Sequence, residues 1–430
     1  MLSAFTQAFR TPDLRAKLLF TLGIMALFRL GSILPAPGVN LVNARQCIAA
    51  AEDQNLLSLV NVFSGGALLQ LSVFALGIMP YITASIIIQL LRVVIPRFEE
   101  LHKEGQAGTA KLTEYTRYLT IGLGLLQSST IVATAKSGKL FPTCNKPVLP
   151  DGSVITLLLV VITMTAGTGL IMWLGELITE RGIGNGMSLL IFTSIVAQFP
   201  SNMFSIAGGN NGAANFAIVV AVVLLATLAV VYIEQAQRRI PVQYAKRMIG
   251  RRQYGGSTTY IPVKINTAGV IPVIFASSIL AMPQLVSGFG DPRSRWVQWI
   301  MTHLHQTHPI YLTAYGVLVL FFAFFYTAIT FDSEEIADNM KRYGGFIPGI
   351  RAGEPTVRYL SYVINRITTA GSIYLVVLAL IPTLAVIWLD LAQHLPFGGT
   401  TILIMVGVGL QTVKEVNSQL QQRHYEGFLS

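Results

Sequence analysis

The chain has 430 residues, 53% of them hydrophobic and only 12% charged, and no soluble domain of this size hides that much apolar surface in one core. It reads as an integral membrane protein. Its formal net charge of +10 calls for an acidic partner or anionic lipid.

Ten charge-poor apolar stretches follow one another, at roughly 18–34, 68–95, 118–135, 153–175, 187–199, 213–233, 267–286, 309–330, 367–388 and 399–413. About twenty apolar residues cross a hydrocarbon core, and a helix keeps its backbone bonds internal, so ten membrane helices are predicted. The first stretch lacks a small-residue cleavage site and runs into Leu34-Pro35-Ala36-Pro37-Gly38, which marks an uncleaved span. Arg29 inside it stands about 9 Å from the outer end, near enough for its head group to snorkel.

The second stretch, VFSGGALLQLSVFALGIMP over residues 62–80, is uncharged, yet Ser64-Gly65-Gly66 loosens one end and Pro80 interrupts the other. Two later stretches are short: MSLLIFTSIVAQF from Met187 and TTILIMVGVGLQTV from Thr400. About fourteen residues reach about 21 Å, less than a core about 30 Å thick.

With the amino terminus cytosolic, 23 basic residues fall in cytosolic segments, six in outside loops and Arg29 in a span, a strong positive-inside bias. An even number of spans puts both termini in the cytosol. Cys47 and Cys144 fall in outside loops, where an oxidising compartment allows either a bridge or two free thiols.

The stretch GIMPYI at Gly77–Ile82 recurs as GVIPVI at Gly269–Ile274, 192 positions later, each in the second span of a set of five. The same offset carries the first and third spans onto the sixth and eighth. Five is odd, so the second set enters the membrane from the opposite side, and two inverted halves result, 1–205 and 206–430, with a site expected at their interface.

All six histidines lie outside the predicted spans, and there is no HExxH, no GxSxG and no carboxylate pair within a span, so no enzyme, metal or cofactor is expected. The glycines of ERGIGNG, Glu180–Gly186, follow no strand and do not read as a phosphate loop. An ion or solute transporter keeps ionisable groups at membrane depth, and here they are nearly absent. Aliphatic pairs remain: Ile78 with Ile82 and Met187 with Ile191 at i,i+4 spacing, Ile274 in the place of Ile82 in the second copy, and Ile404 in mid-span. Each alone suits lipid contact or core packing; together they suit an apolar waist that excludes ions by dewetting.

FSGGALLQLSVFALGIMPYITASIIIQLL, ITERGIGNGMSLLIF, INTAGVIPVIFASSILAMP and GGFIPGIRAGEPT, four long motifs in order along nearly the whole chain, resemble the bacterial SecY family of protein-translocation channels. The resemblance implies an all-α polytopic fold of ten helices in two inverted halves, forming an hourglass pore that opens outward for secreted chains and sideways for membrane segments. It implies a pore ring of Ile78, Ile82, Met187, Ile191, Ile274 and Ile404, and a plug helix over about 56–71 that includes Asn61, Phe63, Ser64, Gly65 and Gly66. A full span adjoining the plug is implied over Phe74–Ile95. Thr83, Gln127 and Asn266 resemble the polar cluster of the lateral gate, between the second and third spans and the seventh and eighth.

Cytosolic loops are expected at about 234–265 and 331–364. The first reads as a basic strand-turn-strand finger around Gly255-Gly256, with Arg247, Arg251 and Arg252 placed to touch ribosomal RNA or an acidic motor surface. Arg351 in the second matches the family's arginine for motor-dependent transport. The implied partners are SecE and SecG subunits, the SecA ATPase, the ribosome, precursor chains and the lipid bilayer, in a bacterial plasma membrane. The chain carries no nucleotide motif, so the energy comes from a partner. An inverted-repeat secondary transporter is the competing reading, and a purely structural scaffold leaves the shared break in the second spans unexplained.

Overall fold

Every predicted apolar stretch carries a helix in the structure, a computed structural model that describes residues 9–50, 64–138, 140, 144, 147–207, 212–244, 247–249, 252–254, 258–287, 290, 294–305, 308–388 and 399–426. The helices are α1 Pro12–Ile33, α2 Leu41–Ala50, α3 Met79–Val94, α4 Pro96–Lys103, α5 Gln106–Lys136, α6 Val154–Arg181 and α7 Gly186–Ala207. There follow α8 Gly212–Gln235, α9 Ile271–Ser287, α10 Arg295–His303, α11 Pro309–Thr330, α12 Ser333–Arg342, α13 Glu354–Trp388 and α14 Gly399–Glu426. Among the described residues five strands lie between them: β1 Gln237–Tyr244, β2 Arg247–Ile249, β3 Arg252–Tyr254, β4 Thr258–Lys264 and β5 Gly345–Phe346.

Among the described residues six helices are long and apolar enough to cross a membrane, counting α11 with α12 as one, and α3 with α4 makes a seventh that bends by 100°. The chain is a multi-pass membrane protein. Lipid-facing surfaces stay apolar, as at Leu224, Leu225 and Leu228 of α8. α1 packs on α6 and α7, and α5 packs on α3 and α6; α11 packs on α9 and α13, and α14 packs on α8 and α13. The two groups meet where α9 crosses α3 and α5, and where α7 crosses α8 and α14.

Three boundaries differ from the sequence reading. α7 and α14 are 22 and 28 residues long, so neither is a short helix. The apolar run of α7 ends near Phe199, but the helix tolerates Pro200 and continues to Ala207. α14 continues past its apolar part on polar helix-formers tied by contacts such as Gln419 Nε2 to Glu415 Oε1, 3.2 Å. The segment 331–364 is not all loop, because it holds α12, capped by the Asp332 carboxylate on the Glu334 and Glu335 amides, and the start of α13.

The largest correction concerns the second span. From Ser64 to Ile78 the backbone is a run of turns, and the helix starts only at Met79 with Pro80 in its first turn. The adjoining full span predicted from Phe74 is therefore shorter, and the described part of the predicted plug helix, Ser64–Leu71, is not helical. Proline lacks the amide that an interior helix position must donate, so it opens α3 where the sequence suggested an interruption. Residues 56–63, with Asn61 and Phe63, lie outside the described residues.

Candidate functional site

The repeated hexapeptides build the same local structure twice. Gly77 and Gly269 both have positive φ, +57° and +63°, which glycine adopts without a Cβ penalty, and a helix begins two residues after each with proline at its second position. Ile78 precedes the first turn of α3, and the Ile82 amide donates to its carbonyl at 3.1 Å. In the second copy the Ile274 amide donates to the Val270 carbonyl at 3.3 Å.

These two helix starts, with α7 and α14, bring Ile78, Ile82, Ile191, Ile274 and Ile404 into one continuous apolar cluster, each between 0 and 7% exposed. Met187 is half-buried at its edge. Its thioether leans on α6, where a Cβ at Gly175 would stand 2.4 Å from Sδ. The same crossing forbids a side chain at Gly186, whose Cβ would lie 1.9 Å from the Gly175 carbonyl oxygen. None of the six side chains faces lipid as an isolated surface residue.

The segment Ser64–Ile78 lies between this cluster and a second one. Leu68, Leu69, Leu71, Ala75 and Leu76 pack with Ala44 and Cys47 of α2, Ile131 and Val132 of α5, and Val160 and Met164 of α6. An antiparallel bridge pairs Pro35 with Ser72, with the Ala36 amide on the Leu71 carbonyl at 3.0 Å and the Val73 amide on the Leu34 carbonyl at 2.9 Å. Leu71 is the one described non-glycine residue with positive φ, 47°, a conformation held by its neighbours. Phe74 stacks on Phe28 with centroids 5.9 Å apart, and a Cβ at Gly31 would stand 2.1 Å from the Phe74 ring.

One link to this segment escaped the sequence reading. Arg29 does not simply snorkel: its Nη1 donates to the Gly65 carbonyl at 2.9 Å. Cys47 and Cys144 form a disulfide, with Cα atoms 5.3 Å apart, between α2 and the chain that follows α5. The bridge settles the choice left open between paired and free thiols.

Thr83 on α3, Gln127 on α5 and Asn266 before α9 are all buried. No hydrogen bond joins these three among the described residues. Thr83 Oγ1 donates to the Met79 carbonyl of its own helix at 3.0 Å, while Asn266 Nδ2 donates to the Glu234 carboxylate and to the Gly269 carbonyl. Glu234 lies at the end of α8, and its only signal in the sequence is being a lone carboxylate at the end of an apolar helix.

The basic loop folds as strands. β1 pairs antiparallel with β4 from Gln237↔Lys264 to Gln243↔Thr258, and Ile240, Val242 and Val263 bury against Met340 of α12 and Leu360 of α13. β2 pairs antiparallel with β3 from Arg247↔Tyr254 to Ile249↔Arg252. Arg247 and Arg252 stand on the paired strands; Arg251, Gly255 and Gly256 lie outside the described residues. Arg351 is exposed in the turn before α13, between Gly349 and Gly353, both at positive φ, and its carbonyl accepts from Thr356 Oγ1 at 2.9 Å.

A family model described as SecY matches residues 72–413. The chain is similar to the protein translocase subunit SecY of Streptomyces galbus, 61% identical over 436 aligned positions that cover all of both chains. Among solved structures it resembles the one reported as the plug domain of SecY stabilising the closed state of the translocation channel, with TM-score 0.64, 20% identity and coverage of 94% of this chain and 91% of that one. It also resembles Sec61 in a canine ribosome-channel complex, with TM-score 0.62, 17% identity and coverage of 94% and 91%.

Proposed function

The chain belongs to the SecY family and is a protein-conducting channel, not a solute transporter, and from that premise we propose which of its residues do the work. Ile78, Ile82, Ile191, Ile274 and Ile404, with Met187 at the edge, form the collar through which a polypeptide threads. The observation that carries this reading is the meeting of five aliphatic side chains, from α3 and the residue just before it, α7, α9 and α14, in one buried cluster. Such a collar excludes water and ions because a narrow apolar constriction dewets, and its flexible side chains part around a guest. It performs no covalent chemistry.

The remaining assignments follow the same frame. Residues 1–205 and 206–430 are two inverted halves that part along the contact of α9 with α3 and α5, releasing apolar segments sideways, with Thr83, Gln127 and Asn266 along the seam. The stretch 56–71 is the plug. The chain sits in the bacterial plasma membrane with both termini in the cytosol, as the positive-inside count supports. Arg247, Arg251, Arg252 and Arg351 meet the ribosome, its RNA or the SecA motor, and SecE and SecG complete the assembly. A stalled secretory chain should crosslink to photoreactive side chains placed at Ile82 and Ile404; crosslinks at neither position would refute the collar.

A further inference from the structure

Arg29 is a charge placed inside a membrane helix, which is expensive enough to mark function. Among the described residues no carboxylate pairs with it. Its recorded hydrogen bond goes to a backbone carbonyl 36 positions away, that of Gly65. Gly65 is itself clasped: at φ +69°, a Cβ there would stand 2.9 Å from Arg29 Nη1 and 3.2 Å from Ser194 Cα of α7. At Gly66, φ +86°, a Cβ would stand 2.8 Å from Gln198 Nε2, one turn further along α7. The Gly-Gly pair thus fits a slot between α1 and α7 lined by Arg29, Ser194 and Gln198, at positive φ that glycine adopts readily.

The segment beyond the slot is held less completely. Among the described residues Gln70 Oε1 and Ser72 Oγ are buried without a hydrogen-bond partner, and Leu71 carries an unfavourable φ. Leaving the seat would relieve these penalties, so the seat needs a specific grip to stay occupied at rest.

We propose that Arg29 is the latch of the resting channel: its guanidinium grips the Gly65 carbonyl and holds the Ser64–Ile78 segment in its seat until an arriving polypeptide displaces it. This rests on the reading of 56–71 as a plug. Arg29 acts through the segment and is a positioning residue, not a part of the collar.

The test measures resting ion leak through the full channel complex in planar bilayers, with export of a precursor bearing a defective signal sequence as second readout. Arg29→Met should raise the leak about tenfold, the equivalent of about 1.4 kcal/mol and within reach of one charge-assisted hydrogen bond. Arg29→Lys should fall between it and the parent, since a lysine keeps the charge and can donate but lacks the guanidinium's planar fork. Gly65→Ala attacks the slot from the other side and should leak in the same way, which decides the matter if Arg29→Met fails to assemble. In a channel lacking residues 56–71, itself leaky, Arg29→Met should add nothing. A leak unchanged by both Arg29→Met and Gly65→Ala, or an equal increase in the deleted channel, would overturn the latch while leaving the plug standing. A deletion that does not leak would remove the plug reading, and the latch with it.

Discussion

Replacing Ile404 by serine tests the collar most directly. Ile404 is fully buried at rest, and an occupied pore must expose it to water or to the guest chain. Burying an isoleucine side chain favours the closed form by about 1.5–3 kcal/mol. Serine forfeits most of that and leaves a hydroxyl to be satisfied, so the closed form should lose about 2 kcal/mol, or roughly thirtyfold in the closed-to-open ratio at about 1.4 kcal/mol per decade. The assay is single-channel conductance in planar bilayers, paired with export of a precursor with a defective signal sequence, and both should rise. Leu225→Ser, at a position 68% exposed on α8, controls for general damage and should leave conductance unchanged. Parental ion tightness in a well-assembled Ile404→Ser channel would refute the claim that this cluster is the seal.

Four further outcomes are expected. Arg351→Glu should abolish SecA-driven export with no loss of assembled channel, because the side chain is exposed and its carbonyl holds the Thr356 hydroxyl whatever the side chain; normal motor-driven export would remove it from the motor contact. Cys47 and Cys144 close a loop with a separation of 97, so replacing both by alanine should lower stability by about 2–4 kcal/mol, read as a lower melting temperature in detergent; an unchanged melting temperature would contradict the bridge. Gly186→Ala puts a Cβ 1.9 Å from a backbone oxygen and should sharply reduce the folded yield, whereas Gly122→Ala, with open space around it, should not. Glu234→Gln keeps an acceptor for Asn266 but removes the charge, and should ease lateral opening, measured as faster membrane insertion of a weakly apolar segment; unchanged insertion would deny Glu234 a part in holding α9.

How much of this was legible depends on whether the signal was local. The hexapeptide repeat was readable because a glycine at positive φ and a proline in the first helical turn stand three positions apart in both copies, which fold alike. The β1–β4 pairing was readable from two Ile-Pro-Val runs flanking a polar stretch. Apolar counts misjudged lengths in both directions: they shortened α7 and α14, whose ends are helical without being apolar, and they made one span of 68–95, where an uncharged run is largely turns. Long-range partners left no trace. Nothing near Arg29 names the Gly65 carbonyl, and nothing near Glu234 names Asn266, because neither hydrogen bond imposes a pattern on the chain between the two residues.

The non-helical stretch from Ser64 to Ile78 raises a physical difficulty that its surroundings resolve. Backbone amides and carbonyls left unpaired in hydrocarbon are costly, so irregular chain at membrane depth persists only where protein covers it. Here the residues are buried or half-buried throughout, and turns such as Leu71 amide to Leu68 carbonyl and Gly77 amide to Phe74 carbonyl satisfy the backbone locally. The consequence is mechanical. Because α3 and α9 both restart after a positive-φ glycine, Ile78, Ile82 and Ile274 sit at or beside the first turns of their helices, next to a joint and not in the middle of a rigid rod. A small rotation at Gly77 or Gly269 then moves a collar side chain without breaking an interior helical hydrogen bond. Alanine at Gly269 meets no steric obstacle but loses ready access to positive φ, so Gly269→Ala should leave assembly intact while slowing export; export at the parental rate would show that the joint does not contribute to opening.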